Sequence, residues 1–320
     1  MFLTVLWFVL GLALIIKGGD YFVGSSVSIA ENLRVPRIVI GSTIVSIATT
    51  SPEFIVSTTA SFSGQPGIAV GNAVGSAILN IGFILSLICM IRPIPVSRKD
   101  FRIPSLVLLG VAVLLTLLTL RLTLSRVSGV ILLLLGLAYL VFDYIRHKRA
   151  SPRKLAQQPE VVVQDPRMQT MRRSVVFFLV GLAMVVVGSH LMVTSAVKIA
   201  EALGVRPILI GLTVVALGTS LPELVTAVAS VRKGVVDLSL GNIVGAGILN
   251  CTVITGTSAS IMPLRMTRTT QLYNLPALVV TVAVFIVLAR LGGRLTRRDG
   301  RIMFMLYAAY VVGLVLLRGR

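Results

Sequence analysis

The sequence predicts an all-α integral membrane protein whose ten transmembrane helices form two inverted five-helix repeats. Three observations carry that reading. Hydrophobic residues make up 56% of the chain and charged residues only 13%, against about 25% charged in soluble domains. Ten apolar runs approach or reach the length that crosses a bilayer, about 20 residues. Gly41–Asn80 returns as Gly211–Asn250 at a constant offset of 170 residues, ungapped, with fourteen of forty positions identical. No β-barrel alternation is present, so helices, which satisfy their own backbone, are the spanning elements.

The runs of the first half are 2–24, 38–62, 68–91, 103–120 and 127–145; those of the second are 174–197, 208–231, 238–262, 272–290 and 302–317. The first begins at Phe2, where a signal peptide would lie, but it lacks a basic leader and an A-x-A-like cleavage site. Gly11-Leu12-Ala13 and Ile29-Ala30-Glu31 match Gly181-Leu182-Ala183 and Ile199-Ala200-Glu201 at the same offset of 170. The first helix therefore has a mid-chain counterpart and belongs to the fold. The chain divides into a first repeat (1–146, core 38–91), a basic cytoplasmic linker (147–173) and a second repeat (174–320, core 208–262). Five helices per repeat is an odd number, so the second copy enters the membrane from the opposite side.

Charge sets the orientation. With the N-terminus outside, inward segments carry 21 of the 30 bases and outward segments 7, a positive-inside pattern. The expectation is a multi-pass protein of the cell membrane with both termini outside. A net charge of +19 then points to anionic lipids at the cytoplasmic face and not to nucleic acid, and no obligate protein partner is implied. Cys89 and Cys251 lie in apolar runs without disulfide or metal spacing, and read as packing residues. His190 reads as a core or helix-lining residue of the sixth helix.

Of eleven acids, nine lie at helix ends or in loops, where capping or solvated pairing is the default: Asp20, Glu31, Asp100, Asp143, Glu160, Asp165, Glu201, Asp237 and Asp299. Glu53 and Glu223 fall in mid-helix, where an ionisable group is costly and usually functional. Each follows a proline, which removes one backbone hydrogen bond and crowds the preceding turn. Pro52 frees the Ala48 carbonyl and loosens that of Thr49; Pro222 does the same for Gly218 and Thr219. Thr49 and Glu53, four apart, share a face, as do Thr219 and Glu223. Two such turns facing each other offer two carboxylates and several carbonyls, the hard oxygens that calcium takes.

Gly71-Asn72-x-x-Gly75 and Gly241-Asn242-x-x-Gly245 open the third and eighth helices, with small residues at the spacing that permits close packing. Asn72 and Asn242 read as helix caps. Asn80 and Asn250, two turns deeper, read as neutral oxygen ligands. Ser76, one turn before Asn80, is a further ligand whose counterpart is Ala246, so the cage is asymmetric.

The motifs Gly218-Thr219-Ser220-Leu221-Pro222-Glu223 and Ala48-Thr49-Thr50-Ser51-Pro52-Glu53 resemble the paired α-repeats of sodium/calcium antiporters in the calcium/cation antiporter superfamily. GNAVGSAILN and GNIVGAGILN are similar to the partner helices, and Gly18-Gly19-Asp20-Tyr21 resembles the end of the first helix. The resemblance implies a sodium-for-calcium antiporter of ten helices working by alternating access, with the first and sixth helices sliding past the core. It implies no enzyme activity and no cofactor beyond the transported ions. By position, it gives calcium to Glu53 and Glu223 with the carbonyls of Thr49 and Thr219. It gives sodium, or shared sites, to Thr50, Ser76, Asn80, Ser220, Asn250 and the carbonyls of Ser46 and Ala216. Two departures, Asn250 where many prokaryotic members carry Asp and Ala246 for a serine, bear on ion stoichiometry. A proton-coupled cation antiporter would use the same glutamates, and a cation channel could place both in a filter.

Overall fold

The structure, a computed structural model, describes residues 2–33, 35–148, 170–202 and 216–317. The chain is a multi-pass, all-helical membrane protein. The first half contributes α1 (Phe2–Leu33), α2 (Arg37–Thr49), α3 (Ser51–Phe62), α4 (Pro66–Ile91), α5 (Arg98–Leu118) and α6 (Arg126–Lys148). The second contributes α7 (Met171–Ala202), α8 (Ala216–Thr219), α9 (Leu221–Arg232), α10 (Val236–Ile261), α11 (Thr270–Gly292) and α12 (Arg297–Leu317). Among the described residues eight helices are long and apolar enough to cross a membrane, and the bent pair α2–α3 makes a ninth. The run 208–231 lies partly, and the linker 147–173 mostly, outside the described residues.

Burial sorts these helices into a centre and a rim. The most apolar window of α10 is 94% buried and that of α4 72%, whereas those of α1 and α7 are 22% and 28%. The two central helices therefore organise the core, and the two peripheral ones face lipid with residues such as Leu6, Val9, Val176 and Leu179. Both peripheral helices are longer than the sequence runs, at 32 residues each, or about 48 Å at 1.5 Å per residue. That exceeds the roughly 30 Å hydrocarbon thickness, so each tilts or projects beyond it. Gly18-Gly19-Asp20-Tyr21 accordingly lies inside α1 and not at its end.

Glycines bring α1 and α7 into contact. A Cβ on Gly11 would meet the Gly188 carbonyl at 2.8 Å, and one on Gly18 would meet the Gly181 carbonyl at 2.9 Å. Small residues are what permit such close backbone approach between membrane helices.

Two short antiparallel pairs close the ends. β1 (Ile94–Pro95) pairs with β4 (Arg294–Leu295), and β2 (Thr123–Leu124) with β3 (Leu264–Arg265). Since α5 separates β1 from β2, the two pairs mark opposite ends of the bundle. The turns after α3 and α9 carry Gly64 (φ +71°) and Gly234 (φ +74°), 170 residues apart. Left-handed backbone after a helix end is what glycine accommodates without a Cβ penalty.

Two sequence expectations on polar residues are corrected. Asp143 is buried in α6, where its Oδ2 accepts a 2.7 Å hydrogen bond from Ser42 of α2. His190 is exposed on α7 and not in the core. Cys89 and Cys251 are buried free thiols, as packing residues are. Asp299 caps α12, accepting from the Thr296 N–H (2.8 Å) and hydroxyl (2.7 Å).

Candidate functional site

The two prolines break their helices where the sequence places the breaks. At Thr50 (φ −83°, ψ 2°) α2 and α3 part with a bend of 45°. At Ser220 (φ −93°, ψ 11°) α8 gives way to α9. The ladder resumes with Phe54 N–H to Thr50 O (2.9 Å) in one half and Leu224 N–H to Ser220 O (3.1 Å) in the other. The freed Ala48 carbonyl is taken by the Ser51 hydroxyl at 2.7 Å. Leu221 stands at the matching position and offers no such donor.

Glu53 and Glu223, in the first turns of α3 and α9, are both fully buried. They come from opposite halves and lie within electrostatic reach of each other. Glu53 Oε1 accepts from Ser220 Oγ (3.1 Å) and Ser76 Oγ (3.5 Å), and Ser220 also bonds Ser76 (3.3 Å). Glu53 Oε2 and both Glu223 oxygens have no hydrogen-bond partner among the described residues. The inequality follows from sequence. The counterpart of Ser76 is Ala246, and the counterpart of Ser220 is Thr50, whose hydroxyl turns back to the Ser46 carbonyl at 2.7 Å.

Threonine and asparagine tie each break to the opposite half. Thr49 Oγ1 donates to Asn242 Oδ1 at 3.1 Å, and Thr219 Oγ1 to Asn72 Oδ1 at 3.5 Å. Asn72 also donates to the Glu53 carbonyl (3.1 Å) and the Ser57 hydroxyl (3.0 Å). The capping role expected for Asn72 and Asn242 is therefore incorrect. Their helices begin six residues earlier, at Pro66 and Val236, and both side chains cross-link the site. Nor does Thr49 simply share a face with Glu53, because the break rotates its side chain toward Glu223.

Asn80 and Asn250 are fully buried, each at the start of a π-helical turn (Asn80–Ile84 and Asn250–Ile254). A third such turn, Gly41–Val45, precedes Ser46 in α2. Isolated π turns inside α-helices are frequent at functional sites, and no residue pattern in the sequence marked these three. Both ends of the Asn80 carboxamide lack a partner among the described residues, as does Asn250 Oδ1, while Asn250 Nδ2 donates to Ala246 O at 3.0 Å. Neither asparagine bonds to a carboxylate. The Ser46 carbonyl already accepts from the Thr50 N–H (2.9 Å) and hydroxyl, and Ala216 opens α8. The structure thus brings Glu53, Glu223, Thr49, Thr219, Ser76 and Ser220 into one buried cluster. Ser46 and Thr50 stand at its edge.

A family model described as sodium/calcium exchanger protein matches residues 3–145 and 173–316. The chain is similar to the inner membrane protein YrbG of Escherichia coli, with 35% identity over 82% of this chain and 81% of the other. It is similar to the sodium/calcium exchanger MaX1 of Methanosarcina acetivorans, with 29% identity over 95% and 96%. Among solved structures it resembles the sodium-calcium exchanger NCX_Mj, with a TM-score of 0.85 and 32% identity over 98% and 99% of the two chains.

Proposed function

The chain belongs to the sodium/calcium exchanger protein family, and from that premise we propose that it exchanges sodium for calcium by alternating access, binding both ions near the membrane midplane between two inverted repeats. The observation that carries this reading is the buried carboxylate pair, one from each half, with three of its four oxygens lacking a hydrogen-bond partner. Two buried like charges repel, and a divalent cation neutralises both. Calcium takes six to eight oxygens, so the Thr49 and Thr219 carbonyls, whose hydroxyls are spent on the asparagines, complete the set. Sodium takes the smaller neutral sites: Thr50, Ser76, Asn80, Ser220, Asn250 and the carbonyls of Ser46 and Ala216.

Contacts between the halves support the inverted repeat. Gly11 meets Gly188 and Gly18 meets Gly181, and an offset of 170 exchanges the two contacts. Such reciprocal, self-complementary contact is the mark of a two-fold axis. The strand pairs are exchanged likewise, Ile94 with Leu295 against Leu264 with Leu124. Pairing of β2 with β3 also requires an even number of crossings between them. Three are α6, α7 and α10; a fourth that includes α9 makes ten in all.

Movement would fall to α1 and α7. An apolar crevice of about 270 Å³ separates them from α9, lined by Leu12, Ile15, Met192 and Val225 among others. Sliding across an apolar face breaks no hydrogen bonds, which suits a helix pair that opens the site to each side in turn. The deciding experiment is calcium uptake into proteoliposomes with and without an opposing sodium gradient. Uptake driven by a pH gradient and indifferent to sodium would assign the same glutamates to proton-coupled exchange.

Two expectations follow for this reading. Asn250→Asp adds a titratable group beside the ions, so transport becomes more pH-sensitive than in the wild type. If the two pH profiles overlay between about pH 5 and 8, Asn250 does not line the ion path. For orientation, a cysteine at Gln158 is expected to react with an impermeant reagent only from the cytoplasmic side. Reaction from outside intact cells would reverse the topology.

A further inference from the structure

A second buried polar cluster lies away from the glutamates, where α2, α6 and α10 meet. Ser42 sits in the π turn of α2, and its hydroxyl donates to Asp143 Oδ2 of α6 at 2.7 Å, with the Val39 carbonyl a longer 3.2 Å away. Both residues are almost fully buried. The Tyr139 hydroxyl is within the fields of Asp143 and Arg146, and Arg37 at the start of α2 faces Asp237 of α10. The other side of the turn is pinned by backbone, since a Cβ on Gly245 would meet Ser42 Cα and Ser46 Oγ at 2.7 Å each. The π turn is thus held between α6 and α10, and Ser46 follows one turn later.

The second half carries no equivalent. The offset of 170 sets Leu212 against Ser42. For α6 and α12 the strand pairs fix the offset at 171, matching Leu124 with Leu295. That offset also aligns Tyr139 with Tyr310, and it sets Leu314 against Asp143 and Leu317 against Arg146. A buried carboxylate is costly unless it is hydrogen-bonded or paired, so its presence in one half alone calls for a role that packing does not supply.

We propose that the Asp143–Ser42 hydrogen bond is a positioning device for the ion site, holding the π turn of α2 against α6 and so fixing where the Ser46–Thr50 oxygens lie. This rests on the reading that α2 lines the site. The test compares Ser42→Ala, Asp143→Leu, the double variant and Asp143→Asn in proteoliposomes, with Leu115→Ala in α5 as a core-destabilised control. Ser42→Ala and Asp143→Leu are expected to raise half-saturating calcium roughly three- to ten-fold, the order that one lost hydrogen bond gives. The double variant should be no worse than either, because the two act through one bond. Asp143→Asn keeps an acceptor and stays near the wild type, and Leu115→Ala lowers melting temperature without moving half-saturation. Unchanged half-saturation in Ser42→Ala, or an equal shift in Leu115→Ala, overturns the proposal. Hydrogen exchange over residues 41–50 reads the tie without transport: faster exchange is expected in Ser42→Ala, and unchanged exchange also overturns it. A wild type that takes up no calcium against sodium would instead defeat the exchange reading alone.

Discussion

Glutamine at either Glu53 or Glu223 is expected to abolish sodium-dependent calcium uptake while leaving the fold intact. The substitution keeps the side chain's size and one oxygen and removes the charge. Glu53 would still accept from Ser220 and Ser76 through its amide oxygen, so the local bonds survive. Glu223 makes no hydrogen bond to lose. The bound divalent ion, however, would face one carboxylate in place of two. Breaking a buried charge pair costs about 3–5 kcal/mol, or roughly two to four decades of affinity. The control is a melting temperature in detergent close to that of the wild type. A well-folded glutamine variant at either position that exchanges calcium at near wild-type rate would remove these residues from the site.

The two carboxylates were legible because the sequence states them twice. A proline–glutamate step inside an apolar run is costly once, and its return 170 residues later identifies it as a feature with a partner. The break geometry followed as well, since proline acts on its own helix and needs no tertiary information. What the chain concealed were the bonds between halves. Thr49 and Asn242 lie 193 residues apart, and nothing local distinguishes an asparagine that caps a helix from one that crosses to another. The helix start decides it, and Pro66, at home in a first helical turn, sets that start six residues before Asn72. Asp143 was misplaced for a related reason. It falls near the end of an apolar run, where solvation is the ordinary expectation, but α6 continues to Lys148 and packs its last turns against α2.

The central crossing of α2 and α10 should tolerate no side chain at Gly241. A Cβ there would meet the Ile38 carbonyl carbon at 2.9 Å and its Cα at 3.1 Å, and the reciprocal Cβ on Gly41 would meet the Asn242 nitrogen at 2.9 Å. These neighbours are backbone, so relief requires moving a whole helix and not a rotamer. The helix that would move is α2, which carries Ser46 and Thr49, and α10 is nearly enclosed and cannot retreat. Overpacking a close-packed interior costs about 1–3 kcal/mol for added methylenes and more where the backbone must shift. Gly241→Leu is therefore expected to lose at least about 3 kcal/mol of stability, and with it most of the folded protein recovered from membranes. Gly110 in α5 supplies the comparison, since a Cβ there meets nothing within 4 Å. Alanine at that position should leave stability unchanged or raise it by up to about 1 kcal/mol, because glycine is the weaker helix former. Melting curves in one detergent decide it: if Gly241→Leu melts with the wild type, α2 and α10 do not cross at this point.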